Sequence, residues 1–324
     1  MSLLKYETEL TGQGAKIYGS ECSQVICDIF DMIVRGLRKV APVLLNISST
    51  SQSCNLVMSR YCTTNLFTDQ KQTQFYAKFR PHYTSEIYNT IVEFCKESHS
   101  DFDLAVDVGC GSGQSTIPLT EYFKKVIGVD VSENQIANAA QNAENVTFKV
   151  SHAENLDFIQ SNTVDLVTVA QALHWLDLEK FFSEVFRLLK PGGSFVTYGY
   201  GLFKLEPEAA DNVVQHFYGN VLGNYWPEGR KIVEEKYMSI TLPFPGWRRN
   251  DSLAIVKECT IDEFIGYMGS WSALNEYAKA NPDINLLDIV RERLETSLIS
   301  QTNQKAIKVT WPVFMLMGHT PISR

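Results

Sequence analysis

The chain has 324 residues, 44% of them hydrophobic, and a formal net charge of −8. Its length suits one enlarged domain, or one domain with a substantial cap, and the acidic balance offers no basic stripe for a nucleic-acid backbone. The cysteines, scattered at 22, 27, 54, 62, 95, 110 and 259 without a Cys-x-x-Cys pair, read as reduced thiols, so neither a disulfide framework nor a metal is expected.

Residues 1–65 read as an N-terminal extension. Its apolar stretch from Val25 to Ile47 carries Asp28, Asp31, Arg35, Arg38 and Lys39, too many charges for a membrane span. It reads as an amphipathic or buried helix, with a break near Pro42. The first residues include Lys5, Glu7 and Glu9 and are unlike a secretory leader, so the expected compartment is the cytoplasm. Ser48 to Ser53 has linker composition. The aromatic stretch Phe75 to Tyr83 cannot be an ordinary helix interior, because the residue before Pro81 is pushed toward extended backbone. Ser85 to Lys96 then places Ile87, Ile91, Val92 and Cys95 on one helical face.

The apolar strand Leu104 to Val108 runs straight into Gly109-Cys110-Gly111-Ser112-Gly113. Glycines at that spacing let a ligand lie against bare backbone. A dinucleotide fingerprint would need a further glycine where Gln114 stands, so the diphosphate cradle is weakened. Asp107 would place a carboxylate at the strand's end that repels phosphate and suits a cation, and Cys110 reads as a small space-filling side chain. A helix is expected from Ser115 to Phe123 and a second strand over Val126 to Val129. That strand ends in Asp130, about twenty residues past the glycines, a position from which an acid accepts from both hydroxyls of a ribose. Ser132 with Gln135 reads as a capping box for the next helix, leaving Asp130 free.

The rhythm continues with strands at Val146 to Val150 and Val164 to Val169. Ala170 to Trp175 follows at a strand's carboxyl end, where ligands sit in open parallel sheets. Asp177 can cap a helix to Lys190 whose Phe181, Phe182, Val185, Leu188 and Leu189 form its apolar face. Pro191-Gly192-Gly193 stops it, and Ser194 to Tyr198 starts a fifth strand. Residues 66–200 thus read as a nucleoside-binding core and 201–308 as an aromatic-rich cap. The segment 309–318 reads as a final strand, in which Pro312 is allowed only near the start or at an edge.

The glycine triplet with Asp107, Asp130 and Leu189-Lys190-Pro191-Gly192-Gly193 resembles the motifs of class I S-adenosylmethionine-dependent methyltransferases. Tyr76-x-x-Phe79-Arg80-Pro81, Gln171-Ala172-Leu173-His174-Trp175 and Gly266 to Ala273 resemble more narrowly the trans-aconitate methyltransferase branch, and more loosely the juvenile hormone acid methyltransferases. The resemblance spans about Phe67 to Gly318. It implies an α/β, Rossmann-like fold: a mostly parallel seven-stranded sheet with an antiparallel last strand, and a helical lid. It implies S-adenosyl-L-methionine as cofactor and a small-molecule acceptor, foremost the carboxyl of a small organic acid. The implied cofactor residues are Asp107, Gly109, Gly111, Gly113 and Asp130, with Ala153 and Glu154 facing the adenine, Tyr76 over the methionine end and Arg80 near the donor.

Glu154 also reads as a solvated loop acid, and Arg80 as a structural partner of Glu121. His174 and Gln171 are the catalytic candidates. His174 would serve as base toward a hydroxyl or amine, or as a hydrogen-bonding wall residue toward a carboxylate. A carboxylate acceptor needs a countercharge, from Arg80 or from Arg248 and Arg249, and Trp175 with Trp271 would form the apolar wall. The alternative from another class is a protein that binds the cofactor without turnover. A nicotinamide dehydrogenase is opposed by Gln114 and by the expected last strand.

Overall fold

A computed structural model describes residues 79–98, 101–139, 143–299 and 306–322. The N-terminal extension and Tyr76 lie outside the described residues. Five parallel strands come first in the chain: β1 (Leu104–Val108), β2 (Lys125–Asp130), β3 (Val146–Val150), β4 (Val164–Ala170) and β5 (Leu189–Tyr200). They lie in the order β3-β2-β1-β4-β5. Alternation of side chains along each strand makes two apolar faces. Ala105, Val126, Leu166, Val196 and Tyr198 pack with Ile87 and Ile91 of α1 (Ser85–Lys96). On the other face Val106, Val108, Ile127, Val129, Val167 and Phe195 pack with later helical residues Phe181, Phe182 and Val185. Burial on both faces is why β1 and β4 are apolar on both, with Asp107, Asp165 and Thr168 as buried polar exceptions.

The connections differ from expectation where proline or glycine acts. The helix expected over Ser115 to Phe123 is only a 3-10 turn, Ile117–Glu121, because Pro118 contributes no N–H to a longer ladder. After β2, Ser132 caps the short α2 (Glu133–Ala137), its hydroxyl accepting from the Gln135 N–H. Asp177 caps α3 (Leu178–Leu188), where the expected helix ran two residues further. Lys190 to Gly193 is taken up in an irregularity of β5, whose pairing with β4 jumps between Val164 and Leu166, and Gly192 adopts φ +78° there.

Past β5 the chain forms β6 (Lys204–Glu206), α4 (Glu208–His216), α5 (Arg230–Glu234), β7 (Arg248–Asn250), β8 (Ala254–Thr260), α6 (Ile261–Gly269), α7 (Ser272–Ala280), α8 (Leu286–Ile299) and β9 (Ala306–His319). The cap is therefore not purely helical, since its edge strands join the main sheet. β9 runs antiparallel to β5, from Ser194↔His319 to Tyr200↔Val313, while its first half pairs with β6 around Val309. β7 and β8 pair with the same two halves of β9. Counting β5 with β6 and β7 with β8 as interrupted ribbons gives the seven-stranded sheet with an antiparallel strand inserted next to its edge.

Pro312 is neither near the start of β9 nor at an edge. It pairs with Ala254 at the end of β8, while on its other side the pairing shifts register between β6 and β5, an interruption at residues 201–203 that absorbs the one missing ladder donor. The Pro312 carbonyl still accepts from the Gly201 N–H at 2.8 Å, and the Val313 N–H donates to the Leu253 carbonyl at 2.9 Å. No helix among the described residues is long and apolar enough to cross a membrane.

β9 is pressed onto the sheet's aromatic layer at Gly318, where an added Cβ would fall 2.4 Å from the Phe244 Cβ. Phe244 itself stacks on Phe195 with ring centroids 5.5 Å apart. Gly318→Ala should destabilise the fold by about 1–3 kcal/mol through overpacking, measured as a lower urea midpoint. An unchanged midpoint would show that Phe244 has room to retreat.

Candidate active site

β1 delivers the chain to a turn in which Gly109, Gly111 and Gly113 all have left-handed backbone, φ +67°, +54° and +87°. Two of them are also excluded from carrying a side chain. A Cβ on Gly109 would lie 2.5 Å from the Ala172 Cβ, and one on Gly113 would lie 2.7 Å from the Phe148 ring. Phe148, on the edge strand β3, is a packing partner of the loop that the sequence reading missed. Its signal is Gly128 on β2, whose absent Cβ would meet the same ring at 2.6 Å.

Two carboxylates fix this turn from different sides. Asp107 is fully buried; its Oδ2 accepts from Ser115 Oγ and Thr116 Oγ1 at 2.7 Å each, and its Oδ1 from Thr168 Oγ1 at 2.8 Å. Burial pushes its pKa up, and the three hydroxyl donors oppose that shift. Asp107 thus does not offer an open carboxylate to a cation: its odd position on β1 turns it inward, where it pins the segment after the glycines to β1 and β4. Asp130 accepts from the Gly111 N–H and the Ser132 N–H, at 2.8 Å each. It is not left free by a capping box, because Ser132 makes only the hydroxyl half of that box, to the Gln135 N–H at 3.3 Å. Each Asp130 oxygen nevertheless keeps a second lone pair.

The Gln135 side chain goes elsewhere. The residue is 5% exposed, its Oε1 has no hydrogen-bond partner, and that oxygen lies 3.8 Å from where a Gly111 Cβ would stand. An orphaned buried acceptor beside a bare glycine loop and an acid with spare lone pairs fits a ligand that brings hydroxyl donors, as a ribose does.

The cleft is lined by the loop together with Pro81, Tyr83, Gln114, Gln171 and Tyr200. Gln171 ends β4 with φ +56°, and its Nε2 donates to the Tyr200 carbonyl at 3.0 Å, so it braces the end of β5 as well as facing the cleft. Ala153 is buried in the core of the α3 face. Glu154 is half-buried and accepts from the Asp177 N–H at 3.1 Å; neither residue lines this cleft. Burial raises the Cys110 thiol well above its ordinary pKa, which suits the space-filling role.

Beyond Tyr200 lies a second group of candidates. Arg80 donates from Nη1 to Tyr200 Oη and from Nη2 to the Ser270 carbonyl, at 3.2 Å each, with its guanidinium 5.6 Å from the Tyr267 ring centre. Trp271 is 2% exposed and packed among Phe203, Tyr218, Trp226 and Tyr267, so it supports the wall from behind. Trp175 is half-buried against His174, centroids 4.5 Å apart.

Arg248 and Arg249 belong to strand β7 and not to a cap loop. Arg248 pairs with Glu97 at the C-terminal end of α1, the end remote from the glycines, and Arg249 is held bidentately by Asp251 at 2.6 and 2.8 Å. The structure brings neither to the cleft. Arg230, which sequence reasoning passed over, stands instead near His174, paired with Glu234 at 3.5 Å. Arg230 lies 5.2 Å from the Trp226 ring centre and donates to Tyr218 Oη at 2.8 Å. Its charge is felt at both His174 and Tyr267. The available signal was Gly229, the small residue before it, which lets α5 close onto Trp175 and His174.

His174 Nδ1 is 2.8 Å from Tyr237 Oη. Burial, and next the Arg230 charge, pull its pKa from 6.5 to about 3. It is therefore neutral at pH 7 and a weak base.

The fold and this cleft define a Rossmann-like, nucleoside-binding enzyme core. A model of the methyltransferase domain family matches residues 106–197, which hold the glycine loop, Asp130 and His174. A Dictyostelium discoideum protein described as a methyltransferase is 38% identical over 75% of this chain and 91% of its own. A Saccharomyces cerevisiae protein described as an S-adenosylmethionine-dependent methyltransferase is 25% identical over 75% of this chain and 94% of its own. The structure of a protein described as a type II methyltransferase from Anaeromyxobacter dehalogenans superposes with a TM-score of 0.65 at 32% identity, covering 75% of this chain and 99% of that one. The chain belongs to the class I S-adenosylmethionine-dependent methyltransferases, and S-adenosyl-L-methionine is its cofactor.

Asp130→Ala removes the acceptor of two backbone N–H groups at the loop, and should weaken S-adenosylhomocysteine binding by more than about tenfold, a loss on the scale of one charged hydrogen bond. Calorimetry reads it, and an unchanged dissociation constant would take Asp130 out of the cofactor site. Unfolded His174 protonates near 6.5, whereas the folded residue stays neutral to about pH 3. Between those values the unfolded chain binds more protons, so stability falls as pH is lowered from about 6.5. His174→Gln should remove part of that acid sensitivity in urea titrations at successive pH values.

Proposed function

We propose that this methyltransferase acts on a small organic acid and methylates a carboxyl oxygen. The observation that carries the reading is the character of the polar groups on the acceptor side. Arg80 and Arg230 are permanent donors, and His174, with a pKa near 3, is too weak a base to help an acceptor that must lose a proton, because general-base efficiency is best near the working pH. A carboxylate needs no such help, being ionised at neutral pH, and it does need a countercharge. The motifs around Arg80, Gln171 to Trp175 and Gly266 to Ala273 support placing the chain in the trans-aconitate methyltransferase branch.

When bound, S-adenosylmethionine supplies an electrophilic methyl group on a sulfonium and a neutral thioether as leaving group. The chain's own part is alignment. In this reading Asp130, the glycine loop and Gln135 hold the nucleoside, Gln171 and Tyr200 shape the junction between the two halves of the cleft, and Arg80 draws the carboxylate toward that junction. Holding two reactants in line at contact distance is worth an effective molarity of about 10⁵ M or more. Aromatic packing behind Tyr267 excludes water and strengthens the arginine contacts.

Incubation with S-adenosylmethionine and a panel of small acids, aconitate isomers and isoprenoid acids included, tests the reading. The expected result is S-adenosylhomocysteine together with a base-labile methyl ester. Turnover on phenols or amines alone would overturn it and return His174 to the role of base. For the acid that reacts, kcat/KM should stay flat from pH 6 to 8, and Arg80→Gln should raise KM by about ten- to a hundredfold, the value of a charged hydrogen bond. An ascending limb near pH 6.5 would point instead to a titrating histidine.

A further inference from the structure

The backbone beneath His174 is strained in a way the cofactor site does not require. α5 ends in a Schellman arrangement, the Tyr237 N–H donating to the Ile232 carbonyl at 2.9 Å and the Lys236 N–H to the Val233 carbonyl at 2.8 Å. The position that turns left-handed in this motif is ordinarily glycine. Here Lys236 takes φ +53° and Tyr237 follows at φ +58°, two consecutive non-glycine residues in a region that side chains disfavour. Such outliers persist where the surroundings over-determine them and where the geometry serves a site. What this one does is set the Tyr237 phenol under the loop after β4. Tyr237 is fully buried, its ring meets Phe314 edge-on at 4.8 Å, and its Oη is 2.8 Å from His174 Nδ1.

The direction of that hydrogen bond follows from what else surrounds the phenol oxygen. The backbone N–H groups of His174 and Leu173 oppose the rise that burial gives the phenol's pKa, and they begin a 3-10 turn (Leu173–Trp175) whose N-cap makes no side-chain hydrogen bond. With backbone donors on that side, the buried phenol has its own proton to give, and the acceptor within reach is His174 Nδ1. A histidine that accepts at Nδ1 carries its proton on Nε2. The charged and titratable groups around the imidazole are Arg230 on α5 and Tyr237 after it, and neither can take a proton from Nε2 at neutral pH.

We propose that Tyr237 is a positioning residue that locks His174 as the neutral Nε2–H tautomer, so that His174 meets the methyl acceptor as a hydrogen-bond donor. The lock deepens the carboxylate reading and rests on it for what Nε2–H contacts: a donor held at that point favours an anionic oxygen and disfavours a hydroxyl that must itself donate. No proton is transferred and none is needed.

The lock can be read without knowing the acceptor. In full-length protein labelled with ¹⁵N-histidine and saturated with S-adenosylhomocysteine, two-bond ¹H–¹⁵N spectra report which ring nitrogen carries the proton, with His174 assigned by its loss in His174→Gln. The expected result is a neutral Nε2–H ring unchanged from pH 8 to 5, and in Tyr237→Phe a shift toward the Nδ1–H form or a pKa raised into that window. A wild-type ring protonated on Nδ1, or one that titrates near 6.5, overturns the proposal whether or not the variant folds. A folded Tyr237→Phe with the tautomer and titration of wild type also overturns it, leaving Tyr237 a packing residue. With an acid that the wild type methylates, Tyr237→Phe should raise KM about tenfold with kcat little changed; failure of every acid in wild type would defeat the carboxylate reading while the spectra still decide the lock.

Discussion

A turn of three left-handed glycines between two carboxylates is the constraint on which the rest of this molecule depends. Asp107 holds the far side of the turn through three hydroxyls, and Asp130 holds its near side through two backbone N–H groups. Gly109 to Gly113 has little but Cys110 to pack and, being glycine-rich, loses much backbone entropy when ordered, a cost these contacts offset. Clamped this way, the loop leaves its bare backbone toward the cleft, and Asp130 is a structural acceptor that keeps lone pairs to spare.

The region beyond Tyr200 is built on a different principle. Its arginines are embedded in aromatic walls: Arg80 beside Tyr200 and Tyr267, and Arg230, paired with Glu234, beside Tyr218 and Trp226. Guanidinium planes against rings keep their charge while shedding water, which is how a cap can be apolar in composition and still present positive charge. Trp271 and Phe203 take no part at the surface of that wall; they keep Tyr267 and Trp226 from collapsing inward. The buried aromatics of the cap are thus the rigid support of a few polar contacts.

The two sides are joined by β9. Its last half lies against β5, whose end carries Tyr200, and its first half lies against β6 and β8, the latter leading into α6 with Tyr267 and its C-cap Ser270. Pro312 marks the exchange of neighbours between the halves. Cap and core therefore share one continuous strand, and the cleft between them has a fixed wall on that side.

The sequence by itself determined the first five strands, the returning last strand and the glycine loop, because those rest on local patterning and on backbone freedom that only glycine provides; the strands β6, β7 and β8 it did not show. It also marked Asp130, Arg80, Gln171 and His174 as candidates; the structure puts Gln171 in the cleft and hydrogen-bonds Asp130 and Arg80 to its lining residues Gly111 and Tyr200. What it left undecided were the partners of each polar group, which depend on contacts distant in the chain. Asp107 looks available until Thr168 covers it; Arg248 and Arg249 look like a countercharge until β7 pairs with β9 and carries them to Glu97 and Asp251. Arg230 looks like any surface arginine until α5 closes on His174. The basicity of His174 was likewise beyond local reading, since burial and a charge from a separate helix set it. Sequence fixes which chemistry a side chain has available, and tertiary packing alone decides which neighbours occupy it and how much water it keeps.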